Sequence, residues 1–361
     1  MTYASTRGNV GDNVHEVLGA WLPSRLAPNG AEAFEISKYA APDAGYSGKT
    51  LFVTAGWTDA TGQRRSEELV LRMQAANHQL FAAPNAPRQA EVMQRLGRQG
   101  IAVPRIVSVE RDASVLGSPF YVMKRVNGRT PSDVPSWHRR GWTADLSADG
   151  RKSLCDNALR ALVALHRVDD PHVLAFLRAD PNTGSTALQR YLHNLCGWYK
   201  WCCDDVKVGA DTLAQALGVI LDAASDTPAE AVVWGDARVG NMCFADDMSV
   251  VALFDWETAT TGPADIDLGW WLMFERFLCE SLGFTRPPGV PDDDEFVRRY
   301  REFGGSLSGD IVYYQLVAAF VLSLINNRLA GLLVRDGLDD ATARRYPERA
   351  VGLVQHYLRQ L

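Results

Sequence analysis

Three polar residues follow short apolar runs in the second half of the chain. Asp236 comes just after the run at residues 232–234, and Asn241 lies five positions later. A second apolar run, at residues 250–254, leads directly into Asp255. Phosphoryl transfer needs a carboxylate that accepts the proton of a hydroxyl group, and an Asn and an Asp that hold magnesium. This spacing predicts a phosphoryl-transfer site with Asp236 as the catalytic base and Asn241 and Asp255 as metal ligands.

Each of these residues also has an ordinary structural interpretation, because Asp and Asn favour turns and helix caps. The joint spacing, with a β-hairpin between Asn241 and Asp255, favours the catalytic interpretation. Asp265 and Asp267 open a helix and are expected to cap it or to support the loop. His166 ends an apolar helix and is interpreted as a structural residue. The nearby tryptophans are expected in the core: Trp256, Trp270 and Trp271.

Composition and charge narrow the class of protein. The chain has 361 residues, a net charge of -6 and a pI near 5.7, which argues against a protein whose main task is nucleic-acid binding. Its six cysteines form no regular framework, so we expect reduced thiols and a cytoplasmic protein. The apolar run at residues 311–325 is shorter than the roughly 20 residues of a membrane span. It predicts a buried core helix, and no membrane partner is expected.

Hydrophobic patterning divides the chain into a β-rich N-terminal part, the front, and a helical C-terminal part. The predicted boundary separates residues 1–125 from residues 126–361, where Asn127 and Gly128 interrupt the pattern. The front contains alternating or apolar runs typical of strands and two helical stretches. The predicted strands are residues 34–39, 50–57, 68–73, 106–110 and 120–126, with helices at 14–21 and 88–99. The main helices predicted behind them are residues 152–166, 186–201, 213–224, 266–282, 292–303, 310–334 and 340–361.

A glycine-containing turn between two predicted strands could approach phosphates. Residues 45–50 read Gly-Tyr-Ser-Gly-Lys-Thr, but a P-loop needs a glycine at position 43, which is Asp, and a helix where a strand is expected. Backbone N–H groups in such a turn can still reach a phosphate, because glycine has no Cβ. An ordinary hairpin turn is the alternative. The predicted contacts here are Gly45, Ser47, Gly48 and Lys49.

A basic residue ends the next predicted strand. Arg72 follows Leu69-Val70-Leu71 and is predicted to neutralise nucleotide phosphates, with Glu91 on the following helix orienting it. The alternative is a surface arginine, and a glutamate that pairs with the arginines of its own helix.

The motifs together resemble the aminoglycoside phosphotransferase and choline-kinase-like family. The residues that carry this resemblance are Trp-Gly-Asp-Ala-Arg-Val-Gly-Asn at 234–241, Phe-Asp-Trp-Glu at 254–257 and Asp-Leu-Gly-Trp at 267–270. They are most similar to the branch attached to some acyl-CoA dehydrogenases, over residues 33–280. The resemblance implies an α+β, two-lobed protein-kinase-like fold with a β-rich N-lobe and a mainly helical C-lobe. It also implies ATP or GTP with Mg²⁺, and an adenine ring against the linker at Met123, Lys124 and Val126.

The implied function is transfer of a γ-phosphate to the hydroxyl group of a small molecule. Trp234 stands where the family has a histidine that supports the loop, and this difference favours the alternative, a nucleotide-binding pseudo-kinase with a sensing or scaffolding role. The branch resemblance points to hydroxylated metabolites more than to aminoglycosides. The expected partners are a nucleotide and a small hydroxylated substrate, with the protein a monomer or a dimer.

Overall fold

The chain forms two compact units in a computed structural model that describes residues 11–40, 48–74 and 80–361. The first unit comprises Met1–Gln94 and Pro104–Val126. The second comprises Arg95–Val103 and Asn127–Leu361. The change from one unit to the other after Val126 falls one residue beyond the end of the front predicted from the sequence.

The first unit is built on a five-stranded antiparallel sheet with the strand order β1-β2-β3-β5-β4. Its buried alternating residues, such as Leu51, Val53 and Ala55, pack with Val14 and Leu18 from the first helix. The sheet therefore buries one face under that helix, as a period of two residues requires. The elements are α1 Gly11–Trp21, α2 Pro23–Leu26, β1 Ala31–Ala40, β2 Gly48–Asp59, β3 Arg64–Gln74, α3 Ala86–Arg98, β4 Ile106–Glu110 and β5 Phe120–Lys124.

The β2–β3 turn is fixed by Asp59. One of its carboxylate oxygens accepts hydrogen bonds from the backbone N–H groups of Thr61 (2.9 Å) and Gln63 (3.0 Å). Gly62 has a φ of +81°, a conformation that glycine adopts without strain. Hydrogen bonds from Thr61, and then from Arg65, hold the pKa of Asp59 well below its usual value. These contacts close the turn between β2 and β3.

The second unit is mainly helical, with two short two-stranded sheets, β6–β9 and β7–β8. Helix α5 was not predicted. It is only seven residues long and begins at Pro171, with Asp170 as its N-cap. A helix of about two turns is too short to give a clear periodic signal. The elements are α4 Ala148–His166, α5 Pro171–Leu177, α6 Ala187–Cys202, α7 Ala210–Asp222, β6 Ala231–Val233, β7 Met242–Phe244, β8 Val250–Leu253, β9 Thr260–Gly262, α8 Asp265–Leu278, α9 Asp293–Glu302, α10 Ile311–Arg335 and α11 Asp340–Leu358.

Helix α10 lies at the centre of this unit. By length and composition alone Ile311–Arg335 could cross a membrane, yet 61% of its apolar window is buried inside the protein. Its residues Leu316, Phe320 and Leu324 belong to a core cluster that also contains residues of α6, α7, α8 and α11. The predicted core helix is confirmed.

Candidate active site

The loop that carries Asp236 begins where β6 ends. Gly235 has a φ of +88°, and a Cβ on it would lie 2.4 Å from Oγ1 of Thr258, so only glycine fits this position. A 3-10 turn at Val239–Asn241 then brings Asn241 back towards Asp236. A glycine bend followed by a tight turn therefore places two polar side chains, five residues apart, within bonding distance.

Three side-chain donors surround the Asp236 carboxylate. Nδ2 of Asn241 donates to Oδ2 at 2.6 Å and to the Asp236 carbonyl at 3.0 Å. Nε of Arg238 (2.8 Å) and Nε1 of Trp270 (2.9 Å) both donate to Oδ1. The carboxylate retains 23% of its side-chain exposure. An ionised carboxylate has about four acceptor positions, so the donors among the described residues leave one position for a hydroxyl group.

Arg238 joins Asp236 to a second carboxylate, that of Asp133. Its guanidinium forms ion pairs with both. Burial disfavours the charge of Arg238, but Asp236 and Asp133 outweigh this and raise its pKa. Burial also raises the pKa of Asp133, and Arg238 offsets part of that rise. Gly240 completes the arrangement, because a Cβ there would lie 2.4 Å from Oδ1 of Asp133.

A buried carboxylate from α8 holds the backbone of the loop. Oδ2 of Asp267 accepts the N–H of Trp234 and Oδ1 accepts the N–H of Gly235, both at 2.7 Å. Nε2 of His166 bonds the same carboxylate at 3.0 Å, and Nδ1 bonds the hydroxyl of Tyr300 at 2.6 Å. Burial raises the pKa of Tyr300. Asp267 therefore supports the loop, and His166 is structural, as expected.

Trp234 connects this loop to the segment that carries Asp255. Its indole Nε1 donates to the carbonyls of Phe254 (2.9 Å) and Asp255 (3.1 Å). Its ring stacks on Trp256 with a centroid distance of 5.5 Å. The tryptophan therefore supplies a donor and an apolar surface at the position where a supporting histidine was expected.

Asp255 adopts an unusual backbone conformation beside these groups. Its φ is +58°, which is uncommon for a residue other than glycine. Its charge contributes to raising the pKa of Arg238. Among residues 11–40, 48–74 and 80–361, no group of three or more His, Cys, Asp or Glu could hold a metal ion. The predicted ligand pair is an amide and a carboxylate, a set that Mg²⁺ uses when phosphates and water complete its shell.

The residues predicted to contact a nucleotide lie in the first unit. Arg72 pairs with Thr50 across β2 and β3, and its Nη1 donates to Oγ1 of Thr50 at 2.7 Å. A Cβ on Gly48 would lie 2.6 Å from the carbonyl oxygen of Met73, so the start of β2 passes unusually close to β3. Lys49 follows Gly48 in β2. Gly45 and Ser47 lie outside the described residues.

The remaining predicted contacts are on α3 and at the end of β5. The Glu91 carboxylate lies 3.5 Å from Nη2 of Arg111, and its pairing with Arg72 stays a prediction. Met123 pairs with Val70 inside the sheet. Val126 is the last residue of the first unit. Lys124 already donates its backbone N–H to the carbonyl of Arg105 and its Nζ to Glu67. A nucleotide contact at Lys124 through these nitrogens would have to displace a protein partner.

The sequence and the fold of the chain are similar to those of known proteins. The human Acyl-CoA dehydrogenase family member 11 is 23% identical over 289 residues, which cover 78% of this chain and 34% of that protein. The chain thus spans about a third of the length of this relative. The structure of a candidate aminoglycoside phosphotransferase from Ralstonia eutropha has a TM-score of 0.71 at 20% identity, covering 96% of this chain and 98% of its own.

A second structure shows the same fold with ligands bound. Aminoglycoside phosphotransferase APH(4)-Ia in a ternary complex with AMP-PNP and hygromycin B has a TM-score of 0.56 at 15% identity, covering 89% of this chain and 94% of its own. The predicted α+β, kinase-like fold is confirmed. A family model described as the phosphotransferase enzyme family matches residues 40–306, most of the sequence. The chain belongs to the phosphotransferase enzyme family.

Proposed function

We propose that the protein is a small-molecule kinase that transfers the γ-phosphoryl group of ATP or GTP to a hydroxyl group, assisted by Mg²⁺. The observation that carries the proposal is the Asp236 carboxylate, held by Asn241, Arg238 and Trp270 with one acceptor position left. Family membership and the nucleotide and hygromycin B bound by a structural neighbour support it.

In the proposed reaction, Asp236 accepts the proton of the acceptor hydroxyl. The hydroxyl oxygen forms a bond to the γ-phosphorus, and the bond from that phosphorus to the β-phosphate oxygen breaks, so a nucleoside diphosphate leaves. Arg238 and Trp270 fix Oδ1, and Asn241 fixes Oδ2, so the carboxylate does not have to reorient when the hydroxyl arrives. Positioning of this kind supplies much of the rate enhancement in phosphoryl transfer.

The oxygen atoms of Asn241 and Asp255 are ligands of the kind that a magnesium ion takes. Asn241 binds Asp236 through its amide nitrogen, so its oxygen, the atom that a metal takes, lies on the other branch of the amide group. That oxygen and the carboxylate of Asp255 would hold the ion. The metal would neutralise charge on the transferred phosphoryl group.

The alternative function is a pseudo-kinase that binds a nucleotide without transferring its phosphate. Trp234 is the residue that favours it. Because the Trp234 indole donates to the carbonyls of Phe254 and Asp255, the loop keeps a side-chain support at this position. This contact favours the active enzyme.

Two measurements test the proposal in sequence. A thermal-shift titration with the magnesium complexes of ATP and GTP should show saturable stabilisation, because a ligand that binds only the folded state raises its stability. A coupled assay over hydroxyl compounds should then show acceptor-dependent nucleotide consumption, with the phosphorylated product seen by phosphorus NMR. Nucleotide binding without a phosphorylated product from any acceptor would favour the pseudo-kinase.

We also propose a cytoplasmic location and a monomer or dimer that binds neither nucleic acid nor membrane. All six cysteines are free thiols, which fits a reducing compartment. Fractionation of the native host cells and light scattering of the purified protein test these two points.

A further inference from the structure

The position of Asp236 limits where the acceptor can lie. A general base must come within about 2.6–3.2 Å of the group whose proton it takes, so the carbon skeleton beside the reacting hydroxyl must contact the groups packed around this carboxylate. Asn241 is a predicted metal ligand and belongs to the nucleotide side. The other two groups that bond this carboxylate are the indole of Trp270 and the guanidinium of Arg238.

Trp270 is the first member of a row of aromatic rings along α8. The ring centroids of Trp270 and Phe274 are 5.8 Å apart with an interplanar angle of 24°, and those of Phe274 and Phe277 are 5.7 Å apart. Spacings of four and three residues place the three side chains on one helix face. Trp270 is buried, whereas Phe274 and Phe277 are half-buried. This aromatic row therefore starts at the catalytic carboxylate and becomes more exposed away from it.

The charges around the aromatic row disfavour a cationic acceptor. The guanidinium of Arg238 lies 4.9 Å from the ring centroid of Phe274, and that of Arg349 lies 5.7 Å from the ring centroid of Phe277. The carboxylates of Asp236 and Asp133 are both paired with Arg238, and the charge of Asp255 also acts on this guanidinium. An ammonium group would lie beside two guanidinium groups, and the paired carboxylates would compensate it only weakly.

We propose that the aromatic row of Trp270, Phe274 and Phe277 binds the body of the acceptor, and that the acceptor is an alcohol with an uncharged, apolar skeleton next to its reacting hydroxyl. This inference rests on the proposed kinase function and names its substrate class. Aromatic side chains bind such skeletons by burying apolar surface and by ring stacking. Arg238 and Trp270 then serve two purposes, since they also orient Asp236.

The test uses four hydroxyl probes with the magnesium complex of ATP: phenethyl alcohol and hexanol as apolar alcohols, and choline and hygromycin B as cationic ones. The two apolar alcohols should give the higher kcat/KM. Phe274→Leu should raise the KM for phenethyl alcohol about tenfold, while kcat and the KM for ATP change less than about twofold. Phe277→Leu changes a ring farther from Asp236, so it should also raise the KM for phenethyl alcohol, but by a smaller factor.

Phe303→Leu is the matched control. Phe303 is also half-buried and lies under an arginine, with Cζ of Arg160 at 3.9 Å from its ring centroid, but it ends α9 rather than contacting Asp236 or Trp270. Its kinetic constants should equal those of the unsubstituted protein. Faster transfer to choline or hygromycin B than to the apolar alcohols would overturn the inference and leave the kinase function standing. An equal rise of the KM values for phenethyl alcohol and for ATP in Phe274→Leu would also overturn the inference. Transfer to none of the four probes would contradict the kinase function itself.

Discussion

The buried carboxylate of Asp267 holds the backbone of the loop that carries Asp236. Its Oδ1 accepts the N–H of Gly235, and its Oδ2 accepts the N–H of Trp234 and Nε2 of His166. We expect Asp267→Asn to destabilise the second unit and to abolish turnover, because the substituted amide has only one acceptor oxygen.

The hydrogen bonds lost in Asp267→Asn determine how much the stability falls. In the better orientation of the asparagine, the oxygen keeps the bonds to Trp234 and His166, and the NH₂ group faces the N–H of Gly235. One hydrogen bond to a charged group, worth about 1.5–3 kcal/mol, is then lost. The partly buried N–H of Gly235 is also left without an acceptor, at a cost of about 1–3 kcal/mol. The free energy of unfolding should fall by about 2.5–6 kcal/mol.

Asp265 provides a matched control two residues away. It is also buried at the start of α8, and it accepts the N–H groups of Ser308 and Gly309, outside the catalytic loop. In Asp265→Asn the amide oxygen can keep both N–H groups, and the NH₂ group can donate to the hydroxyl of Ser308. The cost should be about 1–2 kcal/mol, with turnover retained.

Urea unfolding followed by tryptophan fluorescence measures the free energy of unfolding of both variants. Eight of the ten tryptophans lie in the second unit, so the signal reports mainly on that unit. Turnover is measured with the acceptor that the hydroxyl screen identifies. Equal stability and equal turnover of the two variants would refute the reasoning that the Asp267 contacts position the loop.

Three further perturbations have defined outcomes. Trp234→Phe removes the indole donor shared by two carbonyls, so kcat should fall at least about tenfold. Trp234→His keeps a ring donor, so its kcat should be close to that of the unsubstituted protein. Equal kcat values in the two variants would contradict this expectation. Gly240→Ala should lower kcat, since the new Cβ would lie 2.4 Å from Oδ1 of Asp133, and an unchanged kcat would exclude that clash. The hydrogen bond from Arg178 lowers the pKa of Glu230, so its stabilising contribution is full above its ordinary pKa of 4.5 and is lost as the pH falls through the lowered value. The difference in unfolding free energy between the unsubstituted protein and Glu230→Gln should therefore shrink in acid, and a difference that grows would refute the sign.

The local part of the candidate site could be predicted from the sequence. Asp236 and Asn241 are five residues apart, and a glycine bend and a tight turn between them fix their distance within a few residues of chain. The division into strands and helices was equally accessible, because alternation over the strands and apolar periodicity over the helices decide which faces are buried. The kinase-like arrangement of these elements was implied by the family resemblance. Asp267 was expected to cap its helix or to support the loop, since a carboxylate in the first turn of a helix seeks N–H donors.

The distant part of the site could not be predicted. Asp133 reaches Arg238 across 105 residues of chain, and no local pattern specifies how that segment docks. Trp270 was expected in the core, and it is 5% exposed. Its indole N–H nevertheless reaches Asp236, because tryptophan combines a large apolar body with one polar donor. Sequence patterns indicate that such a ring is buried, but only the packing of α8 determines where its N–H points.

The central claim is that the Asp236 carboxylate accepts the proton of an acceptor hydroxyl. The most direct measurement compares transfer of a labelled γ-phosphoryl group to the acceptor by the unsubstituted protein and by Asp236→Asn, with the nucleotide Kd measured for both. Asp246→Asn is the control, since that carboxylate is 99% exposed on the turn between β7 and β8. We predict that Asp236→Asn loses at least about 10²-fold in transfer rate, with a nearly unchanged Kd. A transfer rate equal to that of Asp246→Asn would contradict the account.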